Sequence, residues 1–206
     1  MTKVALAALV LTACATEPVS QTGVRSAATK PEPDLGALWV RTAAEYEALG
    51  HQAYGAGAED LGRLFADRSW SALPEQTEAA GLKAAIILDI DETLLYNVQF
   101  QLEHEPPFTD EKFDAWHATH TVPAVPGARE FVQRARAAGI DLFFVTNRRC
   151  APMADFAGPC PQERITLQDL QDAGIDADTD HVMLVGEQPE WTQEKKVLYG
   201  DRKSVV

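Results

Sequence analysis

The chain has 206 residues, 46% hydrophobic and 24% charged, enough for one α/β domain with a good core and a small appendage. With 18 Lys and Arg against 31 Asp and Glu, its formal charge is −13. That balance argues against a nucleic-acid groove or a polybasic membrane surface. It leaves room for a small phosphate ligand, because one local cation or lysine inverts the local field.

Met1-Thr2-Lys3 is a short positive start, and Val4 to Val10 is an apolar run too short to span a bilayer. Residues 1–13 therefore read as a secretory signal. Leu11-Thr12-Ala13-Cys14 resembles the bacterial lipoprotein processing box, in which the Cys becomes the lipidated first residue. The resemblance implies acyl chains on Cys14, which anchor a protein without spanning it. Ala15 in the next position implies the outer membrane, facing the periplasm or the cell surface. Plain cleavage near Ala13 or Ala15 is the alternative. Residues 14–35 carry Pro18, Pro31 and Pro33 in a polar setting and predict a flexible tether.

Residues 36–80 predict a helical segment. Trp39, Thr42, Tyr46, Leu49 and Ala53 recur at three- and four-residue steps, as do Leu61, Leu64 and Phe65, and Leu73-Pro74 ends the unit. Its aromatic residues are expected in the core. Residues 81–199 then alternate apolar runs with helical patterns. Ala84 to Leu88, Leu142 to Val145 and Val182 to Val185 read as buried strands. Thr109 to about His120, Arg129 to Ala138 and Ile165 to Ala173 read as helices, the last two closed by Gly139 and Gly174. The alternation predicts a Rossmann-like parallel sheet flanked by helices, with ligands bound beyond the carboxyl ends of the strands.

The chemistry gathers at those ends. Asp89 and Asp91 are spaced i, i+2 directly after the first apolar run, where two carboxylates are costly to bury. A loop there can turn both into one crevice, one as nucleophile and one as acid/base; a solvated acidic turn is the bland alternative. Thr146-Asn147-Arg148 follows the second strand and Trp191-Thr192-Gln193-Glu194-Lys195-Lys196 the third. A strand-end Thr or a surface Lys pair is ordinary alone; the coincidence at three strand ends carries the weight. Cys150 and Cys160 are expected to form a disulfide in an oxidising compartment, with free thiols or a metal pair as alternatives. No His or Cys lies near them at zinc spacing.

Asp-x-Asp-x-Thr after a strand, a strand-end Thr and a later Lys resemble the haloacid dehalogenase (HAD) superfamily. Asp89 to Asn97, Ala124 to Ala128, Val145 to Arg148, Gly186 to Trp191 and the stretch from Trp39 to Tyr54 are similar to its subfamily IIIB, the secreted acid phosphatases that include the 5′-nucleotidase lipoproteins. The resemblance runs from about Leu38 to Lys195 and implies a HAD-like α/β fold with an N-terminal helical segment and a small helical cap insertion. It implies hydrolysis of a small-molecule phosphomonoester, commonly a nucleoside monophosphate, through an aspartyl-phosphate. Asp89 is then the nucleophile and Asp91 the acid and base. Mg²⁺ is held by Asp89 and the backbone carbonyl of Asp91. Thr146 donates to a phosphoryl oxygen, Asn147 shapes the turn, and Lys195 neutralises developing charge, with Lys196 the alternative by one residue. Thr93 hydrogen-bonds within the motif loop. Phe113 matches a base-stacking position, with core packing equally open, whereas Trp116 is read as core. Tyr96 departs from the family's usual Asp and is expected to alter the pocket wall. The five His residues show no cluster that demands a catalytic role.

The family continues past the Lys to an acidic fourth motif that completes the Mg²⁺ shell. Gly200-Asp201 comes too soon after Lys195 to be that motif, and residues 200–206 look like a translated adapter. The chain is therefore expected to be a truncated piece of an active phosphatase, binding Mg²⁺ poorly, leaving a sheet edge open and turning over slowly. Two rival readings are a non-catalytic surface lipoprotein that binds nucleotide or phosphate ligands, and a phosphotransferase to another alcohol. The sequence expresses no preference of oligomeric state.

Overall fold

The first helix starts where a side chain can cap it. The Asp34 carboxylate accepts from the Ala37 N–H at 3.0 Å, satisfying one of the orphan donors of a helix start. The computed structural model describes residues 34–67, 71–72 and 81–188. The predicted signal, the tether up to residue 33, the Leu73-Pro74 stop, the Trp191 to Lys196 stretch and residues 200–206 lie outside them. The tether's expected end at 35 is corrected, since that residue opens the first helix.

The single helical segment expected at the amino end is two helices, α1 (Leu35–Thr42) and α2 (Ala44–Ala66). The chain turns extended at Ala43, and the Thr42 hydroxyl donates back to Leu38 O at 2.7 Å, a side-chain bond that competes with helix continuation. The expectation that the aromatics here are core is corrected in part. Trp39 is 45% exposed and meets Tyr46 edge-on at 6.0 Å. Tyr54 on α2 packs on Phe131 and Leu61 is buried.

The strands are β1 (Ala85–Leu88), β2 (Asp141–Arg149) and β3 (Val182–Val185), in the order β1-β2-β3 and parallel throughout. Side chains alternate across this sheet as a two-residue period requires. Ile86, Leu142, Phe144, Val182 and Leu184 join the main core, whereas Ile87, Val145 and Met183 form a small cluster of their own. Helices α3 (Val98–Glu103) and α4 (Asp110–His117) form the insertion between β1 and α5 (Ala128–Ala137), and α6 (Pro161–Asp172) joins β2 towards β3. The short α3 escaped the sequence reading because six residues carry too little periodicity. Helix α4 stops at His117, short of the expected His120, and α6 starts at Pro161 rather than Ile165. Pro at the first helical position was the missed start signal.

Strand β2 also runs longer than expected. Thr146, Asn147 and Arg148 sit inside the strand, where its register against β3 slips between Val145 and Arg149. Arg149 still pairs with Val185, and Cys150 N–H still donates to Val185 O at 2.8 Å. The shift is of two residues, so the alternation of faces is kept: Thr146 and Arg148 are both buried while Asn147 between them is exposed.

Candidate active site

Strand β1 ends at Leu88, and the backbone then folds on itself. The Ile90 carbonyl accepts from the N–H groups of Leu94 and Leu95 at 2.8 and 2.9 Å, and Glu92 N–H donates to Leu95 O at 2.9 Å. Glu92 carries a φ of 57°, an unusual conformation for a residue other than glycine. Ile90, Leu94 and Leu95 are wholly buried, so the apolar half of this loop anchors its acidic half. From α2, the Tyr54 hydroxyl donates to Thr93 O, which ties the amino-terminal helix to the same loop. Burial pushes the Tyr54 hydroxyl up to about 12.

Asp91 is the centre of the site. Arg148 Nε lies 3.2 and 3.1 Å from its two carboxylate oxygens, and Arg148 Nη2 lies 2.8 Å from Oδ1. Asn97 Nδ2 donates to Oδ1 at 2.8 Å and the Thr146 hydroxyl donates to Oδ2 at 3.2 Å. Burial pushes the Asp91 carboxyl up, but the charge and hydrogen bonds of Arg148, with that of Asn97, outweigh it and hold the group below the usual range. Burial and the neighbouring Asp91 charge push the Glu92 carboxyl the other way.

Behind Asp91 stands a buried network absent from the sequence reading. Arg148 Nη1 donates to Asp169 Oδ2 at 2.8 Å and to Thr166 Oγ1 at 3.2 Å, both on α6. His117 Nδ1 lies 2.6 Å from the same Asp169 oxygen. Burial lowers the His117 ring below its ordinary value, and Arg148 adds to that, while Asp169 opposes it. Arg148 also lies over the Phe113 ring, 5.5 Å from its centroid. The sequence held partial signals for two members, since Arg148 and Asn97 close motif strings already singled out. It held none for Asp169 or for the place of His117 in this network.

The other expected residues fall as follows. Asp89 is half-buried two residues before Asp91, with the Thr93 hydroxyl 3.5 Å from its Oδ2, at the outer limit of a hydrogen bond. Thr146 turns its proton toward Asp91, so donating to a phosphoryl oxygen requires that hydroxyl to rotate. Asn147 lies within β2 rather than shaping a turn. A cleft of about 220 Å³ is lined by Asp91, Asn97, Phe108, Phe113, Asn147 and Arg148. Phe113 lines this cleft and also meets Phe100 edge-on at 5.1 Å in the core. Trp116 is core and donates to Glu103 at 2.7 Å. Tyr96 is corrected: it lines a separate cavity by α1 and α2, with its hydroxyl on Val40 O at 3.0 Å. Cys150 and Cys160 are joined by a disulfide across Cα atoms 4.7 Å apart. Lys195, Lys196 and Cys14 lie outside the described residues. Among the described residues, no three His, Cys, Asp or Glu side chains are grouped to hold a metal ion.

The family described as HAD superfamily, subfamily IIIB (acid phosphatase) matches residues 59–204. Two solved structures of class C acid phosphatase from Bacillus anthracis are similar to this one. The first, with tungstate bound, is 25% identical with a TM-score of 0.64, over 84% of this chain and 64% of that one. The second is 25% identical with a TM-score of 0.62, over 82% of this chain and 64% of that one. The chain therefore spans less than two thirds of the length of either relative. On a match that takes in the acid pair, the Thr146 strand and most of the sequence besides, the chain belongs to the HAD superfamily, subfamily IIIB.

Proposed function

We propose that this protein is a Mg²⁺-dependent acid phosphatase that hydrolyses phosphomonoesters, nucleoside monophosphates among them, through a phosphorylated Asp89. The observation that carries the reading is the division of labour between the strand-end acids. Arg148, Asn97 and Thr146 hold the Asp91 carboxylate at its place, and Asp89 lies two residues before it. One acid is thus fixed for proton transfer beside another suited to attack.

In this mechanism an Asp89 oxygen attacks phosphorus and the bond to the leaving oxygen breaks, while Asp91 passes to that oxygen the proton that the phosphate monoanion brings into the site. Asp91 then takes a proton from the water that hydrolyses the aspartyl-phosphate. Phe113, at the cleft wall, offers a ring face for a base. The oxygen donors suit a hard cation: the Asp89 carboxylate and the Asp91 carbonyl would hold Mg²⁺, which is commonly bound through few protein ligands plus substrate oxygens. Bound there, it supplies charge neutralisation between two anions. Lys195 supplies a cation to the phosphoryl group in the same reading, and Cys14 the lipid anchor at the outer membrane.

The test is Asp89→Asn, with tungstate binding measured by calorimetry beside turnover of a phosphomonoester. Turnover is expected to fall at least 10³-fold, on the scale of losing a nucleophile, with tungstate binding retained. A wild-type chain that binds tungstate without turnover supports the capture-protein reading instead, and an active Asp89→Asn variant refutes the nucleophile.

A further inference from the structure

We infer that Asp169 is a positioning residue for proton transfer, acting through Arg148 on the Asp91 carboxylate. The inference rests on the phosphatase reading and extends it to a residue far along the chain from either strand-end acid.

The geometry is directional. A guanidinium is planar and rigid, so fixing one of its nitrogens and its plane fixes where the others point. Arg148 uses Nη1 for Asp169 and Thr166, at 2.8 and 3.2 Å, and turns its Nε and Nη2 edge to Asp91. Asp169 is held in turn by His117 Nδ1 at 2.6 Å. The chain Asp169, Arg148, Asp91 therefore joins α6, β2 and the loop after β1.

Stability alone gives a poor account of this arrangement. The Arg148 and Asp169 side chains are each 4% exposed, and desolvating two charges offsets most of their attraction. Apolar packing of the same volume would hold α6 to β2 at least as well. An apolar pair would leave Asp91 with no oriented fork behind it. A second carboxylate on Arg148 also shares the guanidinium between two anions, so Asp91 is aimed without taking the whole cation.

The test compares kcat/KM for two esters, because that ratio reports the steps up to formation of the aspartyl-phosphate. The leaving oxygen of an alkyl phosphate needs a proton in the transition state. That of 2,4-dinitrophenyl phosphate needs none. Asp169→Asn keeps shape and removes charge. It is expected to lower kcat/KM on the alkyl ester by roughly 10- to 100-fold, within the range of general acid catalysis, and on the dinitrophenyl ester by less than about threefold. Because the readout is a ratio of rates, it stands at low absolute turnover. Should Asp169→Asn prove unfolded by circular dichroism, Thr166→Val carries the test. It removes only the 3.2 Å bond to Arg148 Nη1 and is expected to act in the same direction with a smaller ratio. Equal losses on both esters, or none on either, would overturn the positioning role. A wild-type chain inactive on both would overturn the phosphatase reading first, and this inference with it.

Discussion

Helix α2 carries glycines at 50, 55, 57 and 62, and the surroundings of three of them differ enough to set opposite signs on one substitution. A Cβ at Gly50 would stand 2.7 Å from the carbonyl oxygen of Pro126 and 3.0 Å from its Cβ. The oxygen is backbone, so no rotamer change relieves the contact, and either α2 or the turn before α5 must shift. At Gly55 and Gly62 an added Cβ meets nothing within 4 Å. Alanine there gains the intrinsic helix preference over glycine, about 0.8–1 kcal/mol at each site. At Gly50 the same gain is opposed by an overpacking cost of roughly 1–3 kcal/mol. The Gly50→Ala variant is thus expected to lie about 1–3 kcal/mol below Gly62→Ala in stability. Urea denaturation at pH 7.5, with a shared m-value, reads the difference directly. A Gly50→Ala protein as stable as Gly55→Ala and Gly62→Ala would refute the claim that α2 is docked by backbone contact at Pro126. Since the same helix delivers the Tyr54 hydroxyl to Thr93 O, a shifted α2 is also expected to loosen the acid loop.

Three further outcomes follow from the site. Arg148→Met leaves Asp91 and Asp169 without their shared cation and is expected to cost about 3–5 kcal/mol by urea unfolding; a loss under 1 kcal/mol would show that the network is not buried charge. Tyr54→Phe removes one hydrogen bond, about 0.5–1.5 kcal/mol. The folded state holds the Tyr54 proton to about pH 12 while the unfolded chain releases it near 10, so wild-type stability is full below pH 10 and falls as pH rises from there. The variant's alkaline loss is expected to be shallower, and an unchanged loss counts against the assignment. At the acid end, His117 stays neutral in the folded protein below its ordinary 6.5 while the unfolded chain takes up a proton. Its contribution is therefore complete above pH 6.5 and lost as pH falls beneath it. His117→Gln is expected to flatten that part of the stability profile, and a slope unaltered between pH 6.5 and 5 would contradict the buried neutral ring.

Local pattern was enough for much of the frame. The apolar runs that end at Leu88, Val145 and Val185 are strands because β-branched and aromatic residues fill a pleated, buried surface. Thr109 and Gly127 mark helix starts by capping chemistry and by a left-handed turn, with φ 85° at Gly127. Where the reading fell short, the signal was weak or non-local. Helix α3 is less than two turns long. The split at Ala43, where the backbone turns extended, has no glycine or proline to announce it. The extension of β2 through Arg149 depends on Val185 being there to pair with it.

The acids themselves were legible because carboxylates at a strand end announce their cost in one dimension. Their partners were not. Asp169 lies 78 residues after Asp91, and nothing in the spacing of either Asp169 or His117 points to the strand-end acids. Sequence by itself determined which side chains the loop after β1 presents, since a buried apolar anchor and an acidic turn are written in adjacent residues. Only the tertiary structure decided how Asp91 is held. A guanidinium is buried when carboxylates arrive from two other segments to receive it, and packing, rather than spacing along the chain, brings them there.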